Sequence, residues 1–378
     1  MIIILKPHLD VQSKEVQFTL KALSELPNIS IDIHSIPGTP NPITEIYLLG
    51  ETCGLSQDSI EALPGVQKTI RLSTEYKILG KQAGRLPIQF TYNDTVFSQN
   101  HFHLFAGLCA VDTLEHVNAT FKVLSLNQQT CARMGAYKPR TSPYAFQGLG
   151  KSCLPQVFEA AGNYGIKVIA MEVTHERQIQ EIHDALSRTG NPTGVMLQIG
   201  TRNAQNFELL REVGSQKTFP ILFKRGFGIT LHESLLAAEY LAHAGNHQII
   251  FCLRGVKSQF GSPHRNLVDV GQVSLIKRLT RMPVCVDPSH AVGSLSAGAD
   301  RLSDIFHVSA QGVIAGANMV LLDVHPNPPL AKVDNQQAID LKQLPWYLED
   351  LHIAREAYIK RVQCAYQYHQ EKAVDAVC

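Results

Sequence analysis

The sequence predicts an α/β protein in which a (β/α)8 barrel follows a small α+β domain. The chain has 378 residues, more than one average domain needs. Hydrophobic residues make up 44% and charged residues 18%, below the roughly 25% charged residues of an average soluble protein, which suits parallel strands buried on both faces. From residue 101 onward, short apolar runs alternate with helical stretches, as in a barrel of strand–helix units.

Residues 1–75 have the element order β-α-β-β-α-β of a ferredoxin-like domain. Apolar runs predict four strands, and helical spacing predicts two helices. The predicted elements are strand Ile2–Leu5, helix Val11–Leu26, strand Ile29–His34, a turn over 38–42, strand Ile43–Leu49, helix Ser56–Leu63 and strand Val66–Leu72. Since no cluster of catalytic residues occurs here, we expect a regulatory or assembly role, with a plain packing domain as the alternative.

Residues 76–100 are predicted to connect this domain to the barrel through a hairpin of Phe90–Tyr92 and Thr95–Phe97. Residues 101–378 then supply the barrel and a closing C-terminal helix. The predicted strands are His103–Ala106, Thr130–Met134, Lys167–Met171, Val195–Ile199, Pro220–Phe223, Ile249–Leu253, Val284–Val286 and Met319–Val324. The predicted helices are Thr113–Leu124, Leu154–Tyr164, Glu176–Ser187, Ala204–Val213, Leu231–Ala244, Leu267–Leu279, Ala299–Ala315 and a last one that includes Trp346–Tyr366.

Charge and composition exclude several classes of protein. The 34 basic and 33 acidic residues give a formal net charge of +1, which argues against binding nucleic acid through bulk charge. No apolar run is long enough to span a membrane, and the N-terminus lacks the basic region of a signal peptide. The eight cysteines are scattered without a CxxC pair, which is typical of reduced thiols. We therefore expect a cytoplasmic protein without nucleic-acid or membrane partners.

Basic side chains follow several predicted strands, at the end of the barrel where active sites are built. Six cations in one mouth require anionic ligands, because their mutual repulsion is otherwise costly. Guanidinium groups bind phosphate and carboxylate oxygens in pairs, so we expect more than one anionic group to bind here. The alternative is that some of these cations pair with nearby acids. The six are Arg133, Lys138, Arg140, Arg202, Lys224 and Arg254.

A second set combines a thiol, an imidazole and two carboxylates, which together suit a divalent transition metal such as Mn²⁺, Fe²⁺, Co²⁺ or Zn²⁺. Its members are Cys109, His290, Asp323 and Asp334. Their spacing is non-specific, and only their placement after the first, seventh and eighth barrel strands brings them together. From the residues alone, a metal site and ordinary structural roles are equally open.

Six strings in the barrel resemble 3-deoxy-D-arabino-heptulosonate 7-phosphate (DAHP) synthase, in particular its type Iβ branch, which carries an N-terminal ferredoxin-like domain. They are GAYKPRTSPYAFQGLG (135–150), QIGTRNAQNF (198–207), FKRGF (223–227), RNLVDV (265–270), VDPSHAVG (286–293) and DVHPNP (323–328). The resemblance implies condensation of phosphoenolpyruvate with erythrose 4-phosphate, the first step of the shikimate pathway. It also implies a homo-oligomer, dimer or tetramer, and an aromatic amino acid effector at the N-terminal domain.

The resemblance assigns roles to individual residues. The metal ligands it implies are Cys109, His290, Asp323 and Asp334. Lys138, Arg133 and His290 are the implied catalytic residues, with Lys138 as proton donor. The residues it places on the phosphoenolpyruvate carboxylate are Arg133 and Lys138, and those on its phosphate are Arg202, Lys224 and Arg254. The residues it places on the phosphate of the aldose are Arg140 and Thr141.

Four residues depart from the usual family strings, namely Leu108, Met134, Leu253 and Asp323. Asp323 replaces the usual glutamate ligand and is one methylene shorter, yet can still coordinate a metal. Leu253 replaces an acidic residue and cannot position basic groups or water, and Met134 replaces glycine and is expected to narrow the pocket. The departures leave two alternatives open: a paralogue that uses another phosphorylated aldehyde, and a catalytically weak barrel that binds a partner or effector.

Overall fold

The structure is a computed structural model that describes residues 1–7, 9–36, 43–50, 52, 54–71, 76–81, 85–190 and 193–375. The chain divides into two units, Met1–Gln82 and Ala83–Cys378.

The first unit is a four-stranded antiparallel sheet with two helices. Its elements are β1 (Ile2–Leu5), α1 (Lys14–Ser24), β2 (Ile29–Ile36), β3 (Ile43–Gly50), α2 (Gln57–Glu61) and β4 (Val66–Ile70). The strand order β2-β3-β1-β4, with every neighbouring pair antiparallel, is that of a ferredoxin-like domain and confirms the predicted fold. The predicted turn over 38–42 and the predicted strand end at Leu72 lie outside the described residues.

Both helices of this unit begin later than predicted, because a serine caps each of them. The side chain of Ser13 accepts a hydrogen bond from the backbone of Val16, and that of Ser56 accepts one from Ser59. The helices cover one face of the sheet and bury an apolar core of Met1, Ile3, Leu5, Val16, Leu23, Ile46, Leu48, Ile60 and Val66.

The second unit begins with the predicted hairpin, β5 (Phe90–Tyr92) and β6 (Thr95–Phe97). Asn93 and Asp94 between the strands have φ angles of 42° and 60°. This left-handed conformation is what a two-residue hairpin turn requires, and Asn and Asp tolerate it better than most residues.

Eight parallel strands then close into a barrel, as predicted. They are β7 (His103–Leu108), β8 (Cys131–Met134), β9 (Val168–Val173), β10 (Gly194–Ile199), β11 (Ile221–Lys224), β12 (Ile249–Leu253), β13 (Val284–Val286) and β14 (Met319–His325). Each strand pairs with the next, and β14 pairs with both β13 and β7, which closes the ring. A short strand, β15 (Ile339–Asp340), adds to the C-terminal end of β14.

The hairpin packs against the N-terminal end of this barrel. The hydroxyl of Tyr92 accepts a hydrogen bond from the backbone of Val195 at 3.0 Å, and the side chain of Asn93 donates to the carbonyl of Lys167 at 2.6 Å. Both partners lie at the beginning of barrel strands. The hairpin therefore occupies the end opposite the predicted active-site mouth.

The helices of the barrel follow the strands, but the helices predicted from Leu267 and from Ala299 begin later than predicted, and the short helix Pro288–Val292 was not predicted. The observed helices are α3 (Leu114–Leu126), α4 (Leu154–Asn163), α5 (Arg177–Ser187), α6 (Phe207–Ser215), α7 (Leu231–His243), α8 (Val273–Leu279), α9 (Pro288–Val292), α10 (Asp304–Ile314) and α11 (Leu344–Asp375). The helix predicted from Leu267 begins only at Val273, because Leu267 pairs with Val256 and the buried Asp269 accepts the backbone N–H of Gly255. Among the described helices, none combines the length and apolar character that a membrane crossing needs.

Candidate active site

A cavity of about 280 Å³ opens at the C-terminal ends of the barrel strands. Its walls come from the C-terminal ends of seven consecutive strands, β8 to β14, and from the loops that follow them. It brings together eight of the residues singled out in the sequence, namely Lys138, Arg140, Thr141, Arg202, Lys224, Arg254, His290 and Asp334. The other three lie beside these at the base of the site: Cys109 contacts Lys138 and Asp334, Asp323 lies near His290, and Arg133 contacts both Cys109 and Asp323.

Cys109, His290 and Asp334 form a tight triangle of donor atoms. The Sγ of Cys109 lies 3.0 Å from Oδ2 of Asp334 and 3.8 Å from Nε2 of His290, and the latter two atoms are 3.5 Å apart. Ligands of a tetrahedral cation with bonds of 2.0–2.3 Å are roughly 3.3–3.8 Å apart. Asp323 completes a group of four ligand atoms that all lie within 4.8 Å of one another. The donor set and its spacing fit a divalent transition metal.

His290 is held in the orientation that a metal ligand needs. Its Nδ1 lies 3.0 Å from Oδ2 of Asp287, and the other oxygen of that carboxylate, Oδ1, accepts the backbone N–H of His290 at 3.0 Å. Because the carboxylate accepts the proton on Nδ1, the lone pair of Nε2 points towards Cys109 and Asp334. A carboxylate behind a histidine is the usual support of a metal-ligating imidazole.

Asp323 is fully buried between two donors. One carboxylate oxygen contacts a guanidinium nitrogen of Arg133, and the other accepts a hydrogen bond from Nε2 of Gln337 at 2.6 Å. Arg133 also approaches the Sγ of Cys109 at 3.6 Å. The buried carboxylate is therefore paired and fixed within the base of the site.

The charges around Cys109 favour its thiolate. Burial raises the pKa of this thiol, but the positive charges of Lys138 and Arg133 outweigh burial and bring the pKa from 9.0 to about 7. Burial likewise raises the pKa of Asp334, while its contacts with His290 and the charge of Lys138 hold that pKa well below its usual range. The cluster therefore presents anionic donors close to neutral pH, which is the state that binds a metal.

A second group of possible ligands, Asp112, His116 and His325, lies after β7 and at the last residue of β14. The backbone N–H of Asn327 donates to Nδ1 of His325 at 3.0 Å, so the proton of this ring is on Nε2. Nε2 lies 3.0 Å from a carboxylate oxygen of Asp112 and donates to it. This arrangement leaves no lone pair for a metal on His325, and Asp112 joins the two histidines through hydrogen bonds.

Some of the predicted cations are paired with acids, and others are not. Nζ of Lys224 lies 2.6 Å from Asp287, and Nζ of Lys138 lies 3.9 Å from Glu172. Among the described residues, no carboxylate lies within 4.0 Å of the basic groups of Arg140, Arg202 or Arg254. The cavity therefore keeps uncompensated positive charge.

Of these three arginines, Arg254 is the clearest example of a buried side chain without a partner. Its side chain is 3% exposed, and neither Nε nor Nη1 has a hydrogen-bond partner within the described part of the chain. Burial lowers the pKa of this guanidinium. A buried charged donor without an acceptor is costly, so an anion is expected to complete the site.

The ring of Phe227 makes cation–π contacts with two of the arginines that lack a carboxylate partner. The guanidinium carbons of Arg254 and Arg202 lie 4.8 Å and 5.6 Å from the centre of its ring. Cation–π contacts of this kind hold a guanidinium without using its N–H groups. The N–H groups therefore stay available for oxygen ligands.

Close backbone approach shapes the base of the site. A Cβ at Gly135 would overlap the carbonyl oxygen of Cys109, so glycine is needed where β8 ends beside the loop after β7. Two hydrogen bonds fix the following loop at Lys138 and at the residue before it. The backbone N–H of Lys138 donates to the carbonyl of Gln147 at 2.9 Å, and the hydroxyl of Tyr137 donates to Glu181 at 2.7 Å.

The three apolar departures from the family strings lie on the helix side of their strands. Leu253 is the register partner of Val286, whose side chain packs against Gly312 of α10. Leu108 and Met134 are partners of each other, one residue beyond Gly107 and the lumen-facing Arg133. Since successive side chains alternate between the two faces of a strand, these residues point away from the lumen. None of the three is among the described residues that line the cavity, so the expected narrowing of the pocket by Met134 is not seen.

Several residues of the site are not among those predicted from the sequence, namely Glu172, Gln198, Phe227, Arg265 and Gln337. Glu172 follows directly on a predicted apolar strand, so its position at a strand end was a usable signal. Arg265 and Gln337 lie in loops, where no periodicity indicates which side chains turn inward.

Fold and site together define a (β/α)8 enzyme with a cationic cavity beside a thiol–imidazole–carboxylate cluster. The chain belongs to the DAHP synthetase I family, whose sequence model matches residues 87–357. This confirms the resemblance seen in the sequence. The family is metal-dependent, in agreement with the cluster of Cys109, His290, Asp323 and Asp334.

Individual relatives agree with this assignment. The chain is 35% identical over 299 residues to the phospho-2-dehydro-3-deoxyheptonate aldolase of Thermotoga maritima, with 79% of this chain and 83% of the relative covered. A solved structure of DAHP synthase from that organism matches 94% of this chain and 97% of its own, with a TM-score of 0.68 and 31% identity. A 2-dehydro-3-deoxyphosphooctonate aldolase of Koribacter versatilis is 26% identical, with 71% and 96% covered.

Proposed function

We propose that this protein is a DAHP synthase that condenses phosphoenolpyruvate with erythrose 4-phosphate and releases phosphate. The observation that carries the proposal is the group of three arginines without a carboxylate partner, Arg140, Arg202 and Arg254, in a cavity next to the metal-type cluster. The two substrates together carry two phosphate groups and one carboxylate. Their negative charge matches what the cavity lacks.

The phosphate of phosphoenolpyruvate is assigned to Arg202, Lys224 and Arg254. Arg254 supports this role because its unpartnered N–H groups are buried in the cavity wall. Lys224 shares its charge with Asp287, so it contributes less free charge than the arginines. Arg133 and Lys138, next to Cys109, are assigned to the carboxylate of the same substrate.

The phosphate of the aldose is assigned to Arg140 and Thr141. Nη1 of Arg140 is buried without a hydrogen-bond partner in the described structure, and the hydroxyl of Thr141 lies 3.3 Å from Nη2 of Arg202. The two phosphate subsites are thus adjacent. Binding both substrates at once supplies the proximity that a two-substrate reaction needs.

The metal is assigned to Cys109, His290, Asp323 and Asp334, with Mn²⁺, Fe²⁺, Co²⁺ or Zn²⁺ as candidates. A divalent cation in this cluster supplies Lewis-acid polarisation of the aldehyde carbonyl. His290 holds its ligand nitrogen in place through Asp287, and Lys138 adds positive charge beside the thiolate of Cys109.

The reaction joins carbon 3 of phosphoenolpyruvate to the aldehyde carbon of erythrose 4-phosphate. Water adds at carbon 2 of the former enol, the carbon–oxygen bond to the phosphate breaks, and inorganic phosphate leaves. Lys138 donates the proton that the new alkoxide oxygen takes up, since its Nζ lies beside the cluster at 2.9 Å from Sγ of Cys109. Glu172, 3.9 Å from Nζ of Lys138, keeps that ammonium oriented.

The test is a direct assay of the purified protein with phosphoenolpyruvate, erythrose 4-phosphate and each candidate metal, following loss of the enol and release of phosphate. Consumption of both substrates in equal amounts supports the proposal. Consumption only with another phosphorylated aldose identifies a paralogous condensing enzyme. No consumption with any of the metals overturns the proposal and favours a binding barrel.

We also propose that residues 1–75 form a regulatory domain that binds an aromatic amino acid, and that the protein is a homo-oligomer. The ferredoxin-like order of the first sheet supports a ligand-binding or pairing role for this unit. The free thiols of six described cysteines support a reducing, cytoplasmic location.

A further inference from the structure

The segment Arg265–Asn266 begins the string RNLVDV, which the proposed chemistry does not use. The segment runs alongside the chain just after His290. The backbone N–H of Arg265 donates to the carbonyl of Val292 at 2.7 Å, and that of Asn266 donates to the carbonyl of Ala291 at 3.1 Å. In addition, the side chain of Asn266 donates to the carbonyl of His290 at 2.7 Å. The two residues are thus fixed relative to one ligand of the metal cluster.

The side chain of Arg265 reaches the two carboxylates of the cluster, one directly and one through Gln337. Its Nη1 lies 3.1 Å from Oδ1 of Asp334 and 2.9 Å from Oε1 of Gln337. Nε2 of Gln337 in turn donates to Oδ2 of Asp323 at 2.6 Å. Gln337 is 1% exposed, so water does not compete for these bonds.

The order of donors and acceptors in this chain of contacts is fixed by chemistry. A guanidinium only donates and a carboxylate only accepts. The amide of Gln337 therefore has one possible orientation, with its oxygen towards Arg265 and its nitrogen towards Asp323. A side chain of similar size without both groups cannot make the connection.

We propose that Arg265 and Gln337 are positioning residues that orient Asp334 and Asp323 for metal binding. The proposal rests on the proposed function, because it takes the four-residue cluster as the metal site. Partners behind metal ligands typically change metal affinity by about 10- to 100-fold. Nη1 of Arg265 would orient Asp334 directly, and the same nitrogen would orient Asp323 through Gln337.

The experiment measures Co²⁺ binding to the full-length wild-type protein and to Gln337→Met, by competition with a chelator and by the Co²⁺ absorption spectrum. Gln336→Met is the matched control, because Gln336 is exposed and adjacent in sequence. The proposal expects Gln337→Met to weaken Co²⁺ binding by about 10- to 100-fold and to change the ligand-field bands, with the control within about twofold of wild type.

Arg265→Gln gives a second, independent variant, since the Arg265 side chain is 36% exposed and does not belong to the buried core. Removal of a nearby positive charge alone would tighten the binding of a cation. Weaker Co²⁺ binding by Arg265→Gln therefore supports positioning. Unchanged affinity and spectrum in both variants overturn the positioning role alone. Wild-type protein that binds no Co²⁺ in the thiolate-containing site overturns the metal assignment of the proposed function and this inference with it.

Discussion

The Sγ atom of Cys109 lies 2.9 Å from Nζ of Lys138, at the base of the cavity. This contact joins the residue assigned to the metal with the residue assigned to proton donation. It lowers the pKa of the thiol and holds the ammonium beside the proposed metal ligands. The metal cluster and the acid are therefore parts of one charge arrangement.

The first prediction concerns the metal-free protein. The pKa of Cys109 falls from 9.0 to about 7 on folding. Between these two pH values the unfolded chain binds more protons than the folded one, so the stabilisation by the thiolate grows as pH rises and is lost as pH falls through 7. A shift of this size corresponds to roughly 3 kcal/mol. Urea unfolding of wild type and Cys109→Ala with a chelator present should show this difference growing from about pH 6 to pH 9. A difference independent of pH would contradict the lowered pKa.

The second prediction is that Cys109→Ala loses its metal while Cys131→Ala keeps it. Both cysteines are buried, but burial raises the pKa of Cys131 to about 12, and this residue lies outside the cluster. We expect the Cys109 variant to lose affinity by about 100-fold or more. Metal content after dialysis, measured by elemental analysis, checks this outcome. Equal metal content in the two variants would refute the ligand assignment.

The third prediction is that Arg254→Gln raises the KM for phosphoenolpyruvate by about 10- to 100-fold, since a charge-assisted hydrogen bond contributes about 1.5–3 kcal/mol. Arg211→Gln is the control, because Arg211 is an exposed residue that pairs with Glu208 on α6. Steady-state kinetics with saturating erythrose 4-phosphate give the comparison. A KM that stays at the wild-type value would remove Arg254 from the phosphate subsite.

The fourth prediction concerns regulation. Tyrosine or phenylalanine should lower the rate of the full chain, and should leave unaffected the rate of a chain that lacks residues 1–75. The shortened protein is a reasonable test object, since a truncated DAHP synthase of Thermotoga maritima has a solved structure that matches 75% of this chain. Inhibition curves of the two forms give the answer. Equal sensitivity would show that residues 1–75 do not carry the effector site.

The fold was predictable because short apolar runs indicate buried strands, and the stretches with helical spacing between them indicate helices with one buried face. The strands Ile249–Leu253 and Val284–Val286 have the predicted bounds, and the remaining barrel strands differ by a few residues at their ends. The error at Leu267 has a specific cause. Its segment has helical spacing, but Asp269 is drawn into the barrel by Gly255 and Arg225, and this tertiary contact outweighs local preference.

The site was predictable where its residues end a strand, and not where they come from loops. Cys109, Lys224 and Arg254 follow apolar runs, so their placement followed from the barrel itself. Gln337 and Arg265 reach the cluster through long loops whose path depends on three-dimensional packing. Which of the basic residues pair with acids could not be predicted either, because pairs such as Lys224 with Asp287 form between positions that are distant in the sequence.

The last prediction concerns Leu253, where the sequence suggested a missing carboxylate. The side chain is fully buried, and its register partner Val286 packs against α10. Leu253→Glu would therefore place a carboxylate among apolar side chains on the helix side of the strand. We expect a loss of stability of about 3–5 kcal/mol, as for an uncompensated buried charge, and no increase in kcat. Leu126→Glu is the control, because Leu126 is 73% exposed and the same change should alter stability little. Urea unfolding and kcat, measured on the same preparations, distinguish the outcomes: a stable Leu253→Glu protein with a much higher kcat would show that this side chain reaches the lumen and that leucine there limits the reaction.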